Sequence, residues 1–302
     1  MIVIDYSSVA IAAITGFKED LQKDPDHIEN LVKHVILSTI KGYKKQFSRE
    51  FGNEVVIACD CRDGYWRKDI FPYYKYKRKQ QREESDIPWD QIFRCMDIVK
   101  KDLIEFFPYK VIEVSKAEAD DIFGVMAQDV AFLLTANQGL DVGDVAPEKT
   151  VLITSDKDSA QLLTHPNIRQ WAPYAKKFIK LDTSAKEFLR RKILTGDPGD
   201  GIPNSFSPSD SFYTGTRQKP ATEKKMLPMI EAKNMLDAAP DDFVKQRIQE
   251  NARLVSLAMM PKELRAAIIE AYNVPPKGNK MSILRYLIAN DMKLMMNDVD
   301  QF

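Results

Sequence analysis

The chain has few cysteines, few histidines and no long apolar run. It contains three cysteines and three histidines among 302 residues. A small, odd number of cysteines predicts no disulfide framework and fits a reducing compartment. The histidines show no spacing to the cysteines that is typical of a zinc site. No apolar stretch reaches about 18 residues, and the apolar N-terminus lacks a basic segment. We therefore expect no membrane span, no signal peptide and a cytoplasmic location.

The chain also lacks an excess of charge of either sign. Lysine and arginine together total 44, as do aspartate and glutamate. The overall positive charge that usually marks a nucleic-acid-binding protein is therefore absent. The charges are unevenly distributed, however, because basic residues outnumber acidic ones between Arg62 and Arg82. A glycine loop of the Walker type is missing as well, so the sequence gives no support to nucleotide hydrolysis.

Short apolar runs rich in β-branched residues predict the strands of a parallel sheet. Ile2–Ile4, Val55–Cys59 and Val151–Ile153 have this composition. Amphipathic helical stretches, such as Ile28–Phe47, lie between them. This alternation predicts an α/β fold with a central, mostly parallel sheet flanked by helices.

The predicted strands are confined to the first two thirds of the chain. A further strand is predicted over Lys110–Val114, and a hairpin from Ile168 to Leu181. We expect residues 1–185 to form the α/β domain, including a basic segment at about 63–88. Residues 186–302 are expected to form a smaller, mainly helical region.

Acidic residues follow the predicted strands at the points where they end. Asp5 and Asp60 end the first two strands, and Asp156 follows the third. Ligands of an open parallel sheet bind beyond the carboxyl ends of its strands, so we expect these acids at one edge of the sheet. Nearby motifs are expected to add Glu118, Asp120, Asp158, Asp197 and Asp200 to that edge.

So many carboxylates in one cleft would repel one another unless their pKa values rise or cations neutralise them. Carboxylate oxygens without paired histidine or cysteine favour Mg²⁺ or Mn²⁺. Two such ions can activate water and stabilise the leaving oxygen of a phosphodiester. Taken singly, each acid is better explained as a turn or helix-capping residue. Three strand-end acids and two further clusters are difficult to explain as independent caps, which favours metal-dependent phosphoryl hydrolysis.

The segment from Tyr65 to Glu84 alternates aromatic and basic residues. Cations neutralise phosphates, and aromatic rings can stack on unpaired bases. The alternative is a solvated basic loop whose aromatic side chains pack on the domain, and the adjacent acidic cluster favours binding. The basic residues concerned are Arg67, Lys75, Lys77, Arg78, Lys79 and Arg82.

The order of these motifs resembles that of the flap endonuclease/5′→3′ exonuclease superfamily. Within it, the similarity is closest to the RNase H enzymes of T-even-type bacteriophages and runs through nearly the whole chain. An ordered set of five acidic motifs is far more specific than any one of them. The motifs are Ile4-Asp5, Cys59-Asp60 with Gly64-Tyr65-Trp66-Arg67, Glu118-Ala119-Asp120-Asp121, Thr154-Ser155-Asp156-Lys157-Asp158 and Gly196-Asp197-Pro198-Gly199-Asp200.

The resemblance implies a site for two Mg²⁺ or Mn²⁺ ions. Arg67 and Lys75 would lie near the scissile phosphate and stabilise its developing charge. Asp121 matches a neighbouring acidic position of lower rank. Asp5, Asp60, Glu118, Asp120 and Asp156 would surround the first ion, and Asp158, Asp197 and Asp200 the second.

The resemblance also implies an activity: removal of 5′ ends from RNA–DNA hybrids and from duplex or flapped DNA. That chemistry clears RNA primers from lagging-strand fragments, in the host cytoplasm if the chain is from a bacteriophage. A single-strand-binding protein and a sliding clamp are the candidate protein partners, and one chain suffices for the site, so a monomer is expected. Arg217, Lys224 and Lys225 could contact the duplex backbone, although the polar face of a helix explains them equally well. No close glycine pair follows Asp200, so the sequence gives no basis for assigning a potassium site.

Two other functions are compatible with an acidic sheet edge. A small ribonuclease of the PIN type shares that edge, but the basic segment and the 302-residue length argue against it. A non-catalytic nucleic-acid-binding protein of the same fold would have no need for so many repelling acids.

Overall fold

A computed structural model of the protein describes residues 1–17, 28–78, 84, 87–130 and 148–302. The strands form one sheet whose order is three, two, one, four, five, six. All neighbouring pairs run parallel except the last, which is antiparallel. The predicted α/β fold with a mostly parallel sheet is therefore confirmed. The strands are β1 (Ile2–Asp5), β2 (Val55–Ala58), β3 (Lys110–Ile112), β4 (Thr150–Ile153), β5 (Ile168–Ala172) and β6 (Lys177–Phe178).

Helices flank the sheet and account for the chain beyond it. None of the helices in the described part of the chain combines the length and apolar composition that a membrane crossing requires. Short 3₁₀ turns cover Asp158–Thr164, Leu257–Met259 and Val299–Gln301. The helices are α1 (Tyr6–Thr15), α2 (Ile28–Phe51), α3 (Trp66–Ile70), α4 (Trp89–Phe106), α5 (Ala119–Val125), α6 (Ala185–Thr195), α7 (Ser211–Thr214), α8 (Glu223–Glu231), α9 (Asp242–Val255), α10 (Lys262–Asn273), α11 (Lys280–Ala289) and α12 (Lys293–Met296).

Strand β1 lies at the centre of the sheet because both of its faces are apolar. Ile2 and Ile4 pack on the same side as helices α2 and α4, and Val3 packs on the opposite side with helix α5. This alternation follows from the two-residue period of a strand. Since β1 pairs with β2 on one side and β4 on the other, the carboxyl ends of three parallel strands lie side by side.

The C-terminal region contributes to more than one core. Helices α6, α8 and α9 share an apolar cluster with Phe71 and Tyr74 from the basic segment. In contrast, helices α10 and α11 pack against the two faces of the α/β domain through Ile268 and Leu287, both fully buried. The helices that follow Leu257 thus join the clusters on the two faces of the sheet, whereas α6, α8 and α9 form a third cluster with the basic segment.

Candidate active site

The structure brings the strand-end acids to one edge of the sheet. Asp5 is the last residue of β1, and Asp60 lies just beyond β2. Asp156 follows β4, the other neighbour of β1. Asp120 lies in the first turn of helix α5, whose residue Ala119 donates its backbone N–H to Asp60 at 3.0 Å. The topology thus explains the convergence of acids that are far apart in the sequence.

Four of these acids, which we call the unpaired acids, form no ion pair with any residue that the structure describes: Asp5, Asp60, Asp120 and Asp156. Neutral groups hold their oxygens instead. Asp5 caps helix α1 by accepting the Ser8 N–H at 2.8 Å, and the Thr154 hydroxyl donates to its other oxygen at 2.9 Å. The Ser159 hydroxyl donates to Asp120 at 2.8 Å. These contacts orient the carboxylates without balancing their charge.

The pKa values of three of the unpaired acids are raised above their ordinary values. Burial, followed by the negative charge of Asp60, raises the pKa of Asp5 to about 7. Burial and the charges of Asp156 and Asp5 raise the pKa of Asp120 well above its ordinary value. The pKa of Asp156 is raised by burial, even though Lys192 and Lys75 oppose the shift. The ionised carboxylates at this edge are therefore incompletely neutralised by the protein.

A second set, which we call the lysine-paired acids, comprises Glu118, Asp158, Asp197 and Asp200. Glu118 is buried and accepts hydrogen bonds from Arg67 at 2.7 Å, from the Tyr74 hydroxyl and from Lys75. Burial alone would raise its pKa, but Lys75 and Arg67 outweigh that effect and the pKa is lowered. Here the protein supplies the neutralising cations itself.

Lys192 bridges two acids from different motifs. Its ammonium contacts Asp158, which follows β4, and lies 2.9 Å from Asp197, which follows helix α6. Although burial raises the pKa of Asp197, Lys192 and the hydrogen bonds of the loop lower it below the ordinary value. Asp200 accepts hydrogen bonds from the Tyr74 hydroxyl at 3.0 Å and from Arg78 at 2.7 Å. Lysines 192 and 75 thus hold this part of the acidic edge together.

The loop that carries Asp197 and Asp200 depends on a glycine at its start. Gly196 ends helix α6 with a φ of +71°, and a Cβ built on it would approach the Ile202 carbonyl oxygen to 2.3 Å. Asp197 and Ile202 exchange both backbone hydrogen bonds at 2.8 Å. The Asp197 carboxylate then accepts the N–H groups of Gly199 and Asp200. A side chain at position 196 would displace this loop.

The donor set at the acidic edge suits a hard divalent cation. Within the described ranges, no three histidine, cysteine, aspartate or glutamate side chains are arranged as a ready-made metal site. The available ligands are nevertheless carboxylate oxygens, which Mg²⁺ and Mn²⁺ prefer. Burial, together with the charges of neighbouring acids, raises the pKa values of Asp5, Asp120 and Asp156, and a divalent cation would favour their ionised forms. The residues at this edge therefore fit such ions.

Arg67 is located differently from the sequence-based expectation. Its side chain is only 3% exposed and pairs with Glu118 and with the fully buried Asp121. It also donates to the Leu254 carbonyl at 2.8 Å. Asp121 completes a capping box at the start of helix α5, in which its carboxylate accepts the Glu118 N–H. The guanidinium thus donates four hydrogen bonds inside the protein, and the Arg67 side chain is buried at the acidic edge.

Lys75 lies closer to solvent and to the acidic edge. Its ammonium contacts Glu118 and lies 3.8 Å from Asp200, and its side chain is 12% exposed. Lys77 is exposed, and the Arg78 side chain is about half-exposed beside Asp200. Lys79 and Arg82 lie outside the described residues.

A cavity of about 860 Å³ opens beside Lys75 and Asp60. The rings of Trp89 and Phe93 stack in its wall with centroids 5.7 Å apart. Its remaining lining residues include Tyr65, Arg62, Lys68, Arg78 and Lys100. Aromatic and basic side chains thus border the acidic edge, as a path for a single strand requires.

The basic residues of the C-terminal region lie on the surface. Arg217, Lys224 and Lys225 are exposed, the last two at the start of helix α8. Lys225 is partly engaged, because it donates to the Pro220 carbonyl at 3.2 Å. No described contact joins them to the acidic edge.

Sequence reasoning missed Lys192 and underrated Asp121 and Tyr74. A lysine in the last turn of a helix is common, because its positive charge interacts favourably with the helix dipole. The sequence position of Lys192 therefore gave no indication of a role at the acidic edge. Tyr74 was one aromatic residue among several in a basic segment. Only the fold shows that its hydroxyl lies between Glu118 and Asp200.

Comparisons with known proteins agree with this geometry. Residues 1–191 match the family described as "5′-3′ exonuclease, N-terminal resolvase-like domain", and residues 183–302 match "T4 RNase H, C terminal". The ribonuclease H of Enterobacteria phage T4 is 28% identical over 313 positions, which cover 99% of this chain and 94% of that protein. The flap endonuclease Xni of Shewanella woodyi is 27% identical over 182 positions, covering 58% of this chain and 63% of that protein.

Solved structures share the fold at lower identity. A bacteriophage T5 flap endonuclease in a pseudo-enzyme–product complex with DNA and metal ions superposes with a TM-score of 0.61 at 14% identity, covering 90% of this chain and 99% of that one. A bacteriophage T5 5′-exonuclease with bound divalent zinc superposes with a TM-score of 0.60 at 16% identity and the same coverage.

Proposed function

This chain belongs to the 5′–3′ exonuclease family and is a metal-dependent nuclease that hydrolyses phosphodiester bonds; we propose that it removes 5′ ends from RNA–DNA hybrids and from duplex or flapped DNA, and so clears RNA primers during replication. The observation that carries this proposal is the acidic edge. Acids from three adjacent parallel strands meet helix α5 there, and basic and aromatic side chains border them. The curated relatives named above support the choice of substrates, since one is a ribonuclease H and the other a flap endonuclease.

We propose two Mg²⁺ ions, or Mn²⁺, as the cofactors. The unpaired acids, joined by Glu118, would hold the first ion, and Asp158, Asp197 and Asp200 the second. When bound, such ions would supply Lewis acidity at the attacked phosphodiester and help to generate the nucleophile from water. The all-carboxylate donor set and the raised pKa values of three unpaired acids support this assignment.

The protein's own side chains would orient the acids and the substrate. The hydroxyls of Thr154 and Ser159 hold Asp5 and Asp120 in fixed orientations. Arg67 acts as a positioning residue, because it ties helix α5, and hence Asp120, to the end of helix α9. Lys75 is the cation that would balance the charge developing on the phosphate.

The basic segment and the C-terminal region would bind the nucleic acid. Lys77, Arg78, Lys79 and Arg82 would contact the single-stranded 5′ end beside the cavity, and Arg217, Lys224 and Lys225 the duplex backbone. In this proposal residues 1–185 carry most of the chemistry, and residues 186–302 add Asp197 and Asp200 and make the duplex contact. The acidic edge is complete in one chain, which supports a monomer.

A cleavage assay on three substrates tests the proposal. A 5′-end-labelled RNA–DNA hybrid, a 5′-flap DNA and a single-stranded RNA are incubated with Mg²⁺ or with EDTA. We expect short labelled products from the hybrid and the flap, and only with Mg²⁺. Cleavage of single-stranded RNA alone would point to a PIN-type ribonuclease. Retention of all three substrates without cleavage would point to a binding protein.

Protein partners call for a separate measurement. We propose a single-strand-binding protein and a sliding clamp as recruiting partners in the host cytoplasm. Light scattering after gel filtration should give the mass of one chain, 34.6 kDa. A complex with either partner should then elute earlier than the separate proteins.

A further inference from the structure

Lys192 occupies an unusual place at the acidic edge. Its ammonium lies between Asp158 and Asp197, two acids that reach this point from different parts of the chain. The side chain is 15% exposed, and the two carboxylates are 18% and 22% exposed. A single positive charge here neutralises part of the charge of two partly buried acids.

The surrounding structure fixes this arrangement. Lys192 projects from the last turn of helix α6, and the Gly196 N–H bonds to its carbonyl oxygen at 2.9 Å. One oxygen of Asp197 accepts two backbone N–H groups, which leaves the other oxygen for Lys192. Asp158 is held by its own N–H, which donates to Asp156 at 2.8 Å. The ammonium therefore sits in a prepared position between oxygen donors.

We propose that Lys192 is an internal competitor of the second divalent cation, which must displace its ammonium from Asp158 and Asp197 in order to bind. The inference rests on the proposed function, because it takes these two acids as ligands of that ion. An ammonium and a divalent cation cannot use the same oxygens, and they repel each other at short distance. The lysine thus makes the second site weaker than the first, in which only Glu118 contacts described cations and the four unpaired acids contact none.

The competition has a consequence for the reaction. Without substrate, Lys192 occupies the oxygens of Asp158 and Asp197 and reduces the net negative charge of the second site. A phosphodiester brought to the edge adds negative charge and oxygen donors, which favours a divalent cation over an ammonium. Lys192 therefore couples occupancy of the second site to the presence of substrate.

The test is a titration of the full-length protein with Mn²⁺ alone, followed by calorimetry and by electron paramagnetic resonance of free Mn²⁺. The wild-type protein is compared with Lys192→Met, which removes the charge, and with Lys192→Arg, which keeps it. Lys277→Met is the matched control, because Lys277 pairs with Glu105 on the exposed surface at 3.1 Å. The rise in melting temperature on addition of Mn²⁺ gives a second readout that does not depend on activity.

We expect Lys192→Met to bind the weaker Mn²⁺ ion about tenfold or more tightly than the wild type, because one repelling unit charge is removed. The melting temperature without metal should fall, and its rise with Mn²⁺ should be larger than in the wild type. Lys192→Arg and Lys277→Met should retain the wild-type affinity. If Lys192→Met does not fold, Lys192→Gln provides the same test.

Two results would overturn the inference. Equal or weaker Mn²⁺ binding by Lys192→Met would make Lys192 a purely structural residue and leave the proposed nuclease function intact. If neither the wild type nor the variant bound Mn²⁺ saturably, the proposed metal centre itself would fail, and the inference with it.

Discussion

The unpaired acids and the lysine-paired acids lie on the same edge of one sheet, yet the protein balances their charges in different ways. Around Asp5, Asp120 and Asp156 it provides hydroxyls and backbone N–H groups, and the pKa values rise. Around Glu118 and Asp197 it provides lysines, and the pKa values fall. Asp200 is intermediate, because burial outweighs Lys75 and Arg78 and its pKa is raised. The comparison indicates that one half of the edge needs an added cation, whereas the other half already contains one.

The strongest test of this difference is Asp156→Asn. We expect cleavage to fall on the order of 10³-fold, because loss of a mere hydrogen-bond partner of a metal ligand costs about 10- to 100-fold and a ligand itself should cost more. Binding of uncleaved substrate should be nearly unchanged, as measured by fluorescence anisotropy. The control is Asp291→Asn, because Asp291 is exposed and is distant from Asp156 in the sequence. Turnover equal to that of the wild type in Mg²⁺ would remove the unpaired acids from the mechanism.

On the lysine-paired side, we expect Lys75→Ala to slow cleavage about 10²-fold, the usual cost of losing one group that stabilises developing charge. The loss should appear mainly in kcat rather than in KM. Lys277→Ala is the matched control, because Lys277 pairs with Glu105 on the exposed surface at 3.1 Å and has no proposed role in binding. Equal losses in substrate binding and in cleavage would reduce Lys75 to general charge attraction.

The sequence was sufficient to predict the fold and the meeting of the strand-end acids at one edge of the sheet, but not how the charges of these acids are balanced. Buried β-branched runs followed by Asp5, Asp60 and Asp156 predict a parallel sheet with acids at one edge, because apolar strands that are connected by helices run parallel. The predicted hairpin is present as β5 and β6. The return of helix α11 to the sheet, in contrast, depends on packing against distant residues, which periodicity does not report.

Side-chain partners were the least predictable feature. Arg67 is basic and adjacent to aromatic residues, so the sequence grouped it with residues that contact phosphate. Its burial follows from the position of helix α9, whose Leu254 carbonyl is 187 residues away in the chain. Lys192 is separated from Asp158 by the β5–β6 hairpin and most of helix α6. Such pairs arise only when the fold is complete.

Measurements of stability without metal should distinguish the two sets of acids, because replacing an acid at pH 8 should change the stability in opposite directions. The pKa of Asp5 is raised to about 7, so the folded protein holds this proton more tightly than the unfolded chain does. Its contribution to stability is therefore lost as pH rises from the ordinary value of 3.8 through about 7. Asp5→Asn should stabilise the protein at pH 8 by roughly 2 kcal/mol, about half of what the shift implies at 1.36 kcal/mol per pKa unit, since the other acids share the repulsion. The gain should disappear near pH 4.

Asp197→Asn should do the reverse. The pKa of Asp197 is lowered, so its ionised form stabilises the fold above its ordinary pKa, and this contribution is lost as pH falls through the lowered value. Thermal melts of both variants in EDTA, at pH 4 and at pH 8, check the signs. Stabilisation by both substitutions at pH 8 would mean that Lys192 does not neutralise its partner acids.

The smallest expected effect concerns how the lysine-paired half is held in place. Tyr213 follows the loop that carries Asp197 and Asp200. Its ring stacks on that of Tyr73 at a centroid distance of 4.6 Å and meets that of Tyr76 edge-on at 5.9 Å. These two tyrosines flank Lys75, whose N–H bonds to the Asp200 carbonyl at 2.9 Å. Aromatic pairs of this kind contribute about 1 kcal/mol.

Tyr213→Ala should therefore lower kcat about fivefold through a less ordered Lys75, a change of roughly 1 kcal/mol. Tyr213→Phe, which keeps the stacked ring, should restore the rate. Tyr174→Ala is the matched control, because Tyr174 is 90% exposed. Since the contact touches only the lysine-paired half, the Mn²⁺ affinity of the unpaired acids should not change. A fall in that affinity would show that the two halves of the acidic edge are mechanically coupled. The two halves would then differ only in how their charges are balanced.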